Sequence, residues 1–149
     1  MPDRRLLHGG GWFTDPDGNF QPFVLESTNG VFGNAVAVFT VDDKISQEIA
    51  GITAISCAKP GHCTIALSRP AALGEGLVDE AFLATKTNGE WSPLMEPIGF
   101  EANSGNLPTR INSLSCWRPD GCIAVGLHRR RGLPRRSIQS ASICRRLDQ

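Results

Sequence analysis

Apolar and small polar residues alternate in short bursts along this chain. Ile52-Thr53-Ala54-Ile55-Ser56-Cys57 is one burst and Cys63-Thr64-Ile65-Ala66-Leu67 is the next. Alternation with a period of two predicts half-buried strands. Between the bursts lies Ala58-Lys59-Pro60-Gly61-His62, whose Pro-Gly marks a turn, so the pair reads as a hairpin. The same grammar returns at Ile111 to Cys116, a Trp117-Arg118-Pro119-Asp120-Gly121 loop, and Cys122-Ile123-Ala124-Val125-Gly126. A second type of hairpin is predicted at Asn29-Gly30 and Asn88-Gly89, each between apolar stretches, because both residue types tolerate positive φ. One unit therefore has four short antiparallel strands: hairpin, link, hairpin. The link falls at 68–79. The 39–50 stretch has room for a short turn of helix, and its counterpart at 98–109 reads as loop.

The units repeat at 59 residues. Phe23, Thr28, Asn29, Gly30, Ile52, Ser56, Cys57, Pro60 and Cys63 have identical residues 59 positions later. That is 9 identities over the 45 aligned positions 23–67 without a gap, against about 3 by chance. Four antiparallel strands repeated at this spacing predict an all-β chain built of propeller-type blades. Tandem β modules or a single sandwich fit the strand pattern less economically. The expected organisation is an irregular N-terminus at 1–8, a partial unit at 9–51, a full unit at 52–110, a partial unit at 111–127, and a tail at 128–149. Gly9-Gly10-Gly11-Trp12-Phe13-Thr14 fits the second strand of a unit whose cysteine hairpin is missing. The chain then holds about two blades of a partial β-propeller, whereas closed propellers need four or more. It reads as a fragment, a degenerate copy, or a piece that self-associates through open blade edges.

The bulk composition is that of a globular domain, with 40% hydrophobic and 20% charged residues. No apolar run is long enough for a membrane span, and the first residues do not form a signal peptide. Zero net charge hides an asymmetry. Seven of the 15 basic residues follow His128, with Asp148 the one acidic residue there. Eight basic and 14 acidic residues precede them, so an acidic body carries a basic end. Few strand formers follow Ile138, and the arginines repel one another, so the tail is expected to be disordered.

Cys57 and Cys63, and likewise Cys116 and Cys122, flank five-residue loops. Opposed across a hairpin, each pair lies within disulfide reach. The spacing is wide for structural zinc, whose spacers are shorter. Two local disulfides imply an oxidising, extracellular or cell-surface setting. Cys144 has no evident partner.

On these residues the chain resembles the secreted β-propeller repeat proteins of actinobacteria. Those carry Ser-Cys-x5-Cys-x-Ala-x-Gly units followed by an Asn-Gly-x-Trp turn. The matching pieces are Ser56-Cys57 to Cys63, Ser115-Cys116 to Gly126, and Asn88-Gly89-Glu90-Trp91. The turn is also similar to the Asp-box of sialidase-like propellers, with Asn29 and Asn88 in place of the aspartate. The resemblance covers roughly 9–126. It implies a secreted or surface propeller without assigned activity.

No residue pattern points to catalysis or to a cofactor. Asp15-Pro16-Asp17-Gly18-Asn19 has the look of a calcium loop, but Phe20 stands where an EF-hand needs glycine, so a hairpin turn is the better reading. His8, His62 and His128 share no metal-ligand spacing. The chain has no tyrosine, which rules out a sialidase-type Tyr nucleophile supplied by these residues. Trp91 takes the place of Phe32 in the repeat and belongs to the blade core. Trp117, in a hairpin loop, is the candidate for contact with a ligand. The expected function is a non-enzymatic binding or structural module for a glycan or protein. Two other readings are a degenerate fragment of a glycan-processing propeller enzyme and a nucleic-acid-associated protein using its Arg-rich tail.

Overall fold

The computed structural model describes residues 5–38, 51–73, 76–95, 109–128 and 142–145. Their regular structure is entirely antiparallel β, arranged in three sheets. The first sheet contains β1 (Arg5–Thr14), β2 (Phe20–Thr28) and β3 (Val31–Ala37), in that order. The middle sheet contains β4 (Gly51–Lys59), β5 (His62–Leu73), β6 (Gly76–Thr87) and β7 (Glu90–Trp91). The third contains β8 (Thr109–Arg118), β9 (Gly121–His128) and β10 (Ser142–Arg145), with β9 in the centre.

The repeat in the sequence is a repeat in register. β4 pairs Ile52 with Leu67, Ile55 with Ile65 and Cys57 with Cys63 on β5. β8 pairs Ile111 with Gly126, Leu114 with Ala124 and Cys116 with Cys122 on β9. Each pair is its counterpart moved by 59 residues. The bulges move with them, at Ile52/Ala54 and Cys57/Lys59 in one hairpin and Ile111/Ser113 and Cys116/Arg118 in the other. The second hairpin type behaves alike. Ser27 pairs with Phe32 and Val24 with Val36, as Lys86 pairs with Trp91 and Leu83 with Met95. Asn29 and Asn88 both have φ of 53°, and each precedes a glycine that also has positive φ. These are the two-residue turns whose twist suits a hairpin.

Three expectations change. First, β1 begins at Arg5, inside the stretch expected to be irregular. Second, 68–79 is not a loose link. β5 and β6 stay paired out to Leu73 and Gly76. Pro70 fits in this strand because it lies beyond Ser68, the last β5 residue paired with β4, where one side of β5 has no described neighbour and proline is tolerated. Third, the basic tail contributes a strand. β10 lines up along β9, pairing Ile143 with Ile123 and Cys144 with Cys122. It takes the place that β6 has in the middle sheet, but 58 rather than 59 residues on: Thr85 is opposite Thr64, and Ile143 is opposite Ile123. A one-residue offset exchanges the faces of a strand pattern, which is why Ala141, at the repeat distance from Phe82, hid the strand. The 39–50 stretch, the 98–108 loop and the rest of the tail lie outside the described residues.

The sheets stack face to face in chain order. Val24 from the first sheet and Val38, just after β3, meet Cys63, Ile65, Leu67 and Ala84 of the middle sheet in one core. Ala66, Ala81 and Leu83 of the middle sheet meet Ile111, Leu114, Cys122 and Ala124 of the third in a second core. Successive side chains on β5 and β6 thus serve opposite cores, as the pleat requires. Gly10 makes the first junction close. A Cβ there would stand 2.9 Å from Ile52 Cδ1 and 3.0 Å from Ile55 Cδ1. The glycine run therefore holds a packing position, beyond any flexibility it confers.

Candidate functional site

The turns after Thr28, Lys59, Thr87 and Arg118 all lie at one end of the stack. His62 pairs with both Lys59 and Thr87, so two turns of the middle sheet sit side by side. The Asn88 N–H donates to the Gly61 carbonyl at 3.2 Å. The other sheets place Thr28, Val31, Arg118 and Gly121 at equivalent ladder ends.

At this end both cysteine pairs are disulfides, Cys57–Cys63 and Cys116–Cys122, with Cα atoms 3.9 and 4.0 Å apart. Each joins directly opposed residues, the last before a bulge and a loop. The backbone register brings Cys144 opposite Cys122.

Trp117, expected in a hairpin loop, instead lies on β8 at the Cys116/Arg118 bulge, one residue before the end of the strand, and is 54% exposed. Its indole lies over Gly121: a Cβ on that glycine would come within 2.7 Å of both Trp117 Cε2 and Arg118 Cγ. The aromatic ring and the Arg118 side chain thus meet at the tip of one hairpin, whose strands are joined by a disulfide just behind them. Trp91, by contrast, packs against the first core, as its place in the repeat predicts. Trp12 is exposed but makes an edge contact with Phe20 at a centroid distance of 4.9 Å.

The described charged and polar groups outside that loop hold the sheets together. Lys86 pairs with Glu26 across the first junction and sits 5.7 Å from the Trp91 ring centre. Arg69 pairs with Glu80 on the neighbouring strand and stacks 4.9 Å from the Phe82 ring. At the second junction the Cys116 N–H donates to Ser56 Oγ at 2.9 Å. The Thr64 hydroxyl lies 3.1 Å from that of Thr85 and 3.4 Å from Cys122 Sγ. None of these pairs was evident from sequence, because their members stand on different strands that no local pattern brings together.

The 15–19 segment is a tight turn. Asp15 Oδ1 accepts the N–H groups of Asp17 and Asn19 at 3.0 and 2.9 Å, and Oδ2 accepts the Gln21 side-chain amide at 3.0 Å. The Asn19 N–H, above all, holds the Asp15 carboxyl below its ordinary pKa, with burial opposing. Both carboxylate oxygens are taken by donors from the turn and from the start of β2. Among the described residues, no three His, Cys, Asp or Glu side chains gather as a metal site would require, and no helix is long and apolar enough to cross a membrane.

Comparison of the chain with protein-family models, with known proteins and with solved structures finds no match.

Proposed function

We propose that the chain is a β-propeller-type repeat module of a secreted or cell-surface protein, with a binding or structural role and no catalysis of its own. Face-to-face stacking of sheets with the same register, one repeat apart, supports the propeller reading. The two disulfides fit an oxidising compartment. The observation that carries the binding role is Trp117, exposed at the bulge that ends β8, next to the Cys116–Cys122 disulfide. An aromatic ring beside an arginine side chain suits the faces and hydroxyls of a sugar, or a protein side chain seated on the ring.

A glycan array probed with the oxidised chain tests this role. Binding that Trp117→Ala abolishes and Trp12→Ala leaves intact is the expected result. Binding indifferent to Trp117→Ala would remove the loop from the site, and release of a cleaved sugar would overturn the non-enzymatic reading.

A further inference from the structure

The third sheet carries three cysteines on one rung. β9 lies at its centre, with β8 on one side and β10 on the other. Cys122 of β9 is directly opposite Cys116 of β8 and directly opposite Cys144 of β10. The first of these pairs is the disulfide, with Cα atoms 4.0 Å apart. So short a separation belongs to opposed residues that exchange no backbone hydrogen bonds. The Cys122 N–H and C=O then point toward β10, where an opposed, hydrogen-bonded residue has its Cα about 5.5 Å away. Disulfides usually span Cα separations of about 4.4–6.8 Å. Opposed residues also share one face of a sheet. Both neighbours of Cys122 therefore stand within disulfide reach of it.

The middle sheet differs at this point. Its matching residue, Cys63, is opposite Cys57 on one side and Lys86 on the other. Cys144 takes the place of that lysine. The chain has five cysteines and its two disulfides use four, which leaves Cys144 as the attacking thiol. Burial favours an attacker from within the sheet. Cys122 is 3% exposed, so a thiol from solution is kept away from its sulfur, whereas a cysteine on the adjoining strand is already beside it.

We propose that Cys144 exchanges with the Cys116–Cys122 disulfide, so that the third sheet has two covalent forms. The Cys144 thiolate attacks Cys122 Sγ, approaching from the strand across β9 from the leaving Cys116. The Cys122–Cys144 bond forms as the Cys116–Cys122 bond breaks. Cys116 leaves as a thiolate and takes up the proton that Cys144 released. Nothing is oxidised or reduced overall, so no external oxidant or reductant is consumed. In one form the tie closes the β8–β9 hairpin. In the other it fastens β10, a strand of weak pattern, to the centre of the sheet. Cys57–Cys63, with Lys86 at the third position of its rung, stays fixed. The inference concerns covalent connectivity and stands whether or not Trp117 meets a ligand.

Peptide mapping after alkylation reads the two forms. The oxidised full chain is held without reductant at about pH 8.5, near the ordinary cysteine pKa, then quenched with acid and alkylated. Two species are expected: Cys116–Cys122 with Cys144 alkylated, and Cys122–Cys144 with Cys116 alkylated. Cys57–Cys63 should be intact in both. Cys116–Cys122 alone after prolonged incubation, or Cys144 linked to a second chain, would overturn the proposal. So would equal scrambling of Cys57–Cys63, which marks exchange in the unfolded chain. Ile143→Cys/Cys144→Ser moves the thiol to the position opposite Ile123, on the other face of the strand, and should lose the exchanged species entirely. Cys116→Ser removes the competing sulfur, and oxidised glutathione should then close Cys122–Cys144. Failure to close it, in a variant whose circular dichroism matches the native chain, would equally sink the exchange.

Discussion

The β4–β5 and β8–β9 hairpins match pair for pair, bulge for bulge and disulfide for disulfide, yet one is covered on both faces and the other on one. Local chemistry made them alike. Alternation, a Pro-bearing loop and two cysteines specify the same hairpin wherever they occur. Position in the stack made them differ. Thr64 and Ala66 lie under a neighbouring sheet, and Ile123 and Val125 do not. Hairpin form is therefore a property of each repeat, and burial a property of the assembly of repeats.

The sharpest way to break the comparison is to place the same charge at matched positions. Ala66→Asp puts a carboxylate into the second core, away from water and any cation among its described neighbours. It should cost several kcal/mol and leave the chain largely unfolded in a denaturant melt. Val125→Asp, its counterpart, should stay folded and change monomer stability by about 0.5 kcal/mol or less. Equal damage at both sites would show that the outer face of the third sheet is covered within the chain.

Disulfide removal should treat the two hairpins alike. Cys57→Ala/Cys63→Ala and Cys116→Ala/Cys122→Ala each open a short loop, worth about 2 kcal/mol in the chain-entropy account. Both sites also lose a buried sulfur, since Cys63 and Cys122 are each 3% exposed. Similar falls in denaturation midpoint are expected. A much smaller fall at Cys116–Cys122 would mean that β10 holds the third sheet without the disulfide.

The ion pair across the first junction gives a smaller contrast. Lys86→Met should lower stability by about 1 kcal/mol, and less at high salt, because it breaks a half-buried charged hydrogen bond to Glu26. Arg69→Met, within one sheet, should do less.

The smallest effect concerns Asp15. Its carboxyl is held below its ordinary value of 3.8, so its contribution is fully present above that pH and is lost as pH falls through the depressed folded value. Acid melts should show the native chain losing slightly more stability than Asp15→Ala below pH 3.8. Parallel curves would mean that the turn does not depend on this carboxylate.

Much of this was legible in the sequence. Strand class, the two hairpin types, the 59-residue unit and the cysteine pairing all rest on contacts between residues a few positions apart. Period-two alternation and turn chemistry record such contacts in the residues themselves. Trp91 was read as core because its place in the repeat is that of Phe32. Trp117 was read as an exposed loop residue, and it is exposed, though it stands on β8, one residue before the strand ends.

Other features required the tertiary structure. The 68–79 stretch read as a link and the arginine-rich tail as disordered, yet β5 and β6 pair within the first and β10 emerges in the second. A strand needs only a neighbour with free backbone donors and acceptors, and β9 offers one to a segment whose own pattern is weak. Glu26 meets Lys86, and Ser56 meets Cys116, because sheets stack, and stacking joins residues that no local pattern connects. Which apolar residues are core and which lie on an open face was likewise decided there. Ile65 and Ile123 sit in the same kind of alternating strand, and the sheet lying over Ile65, rather than anything in its own segment, buries it.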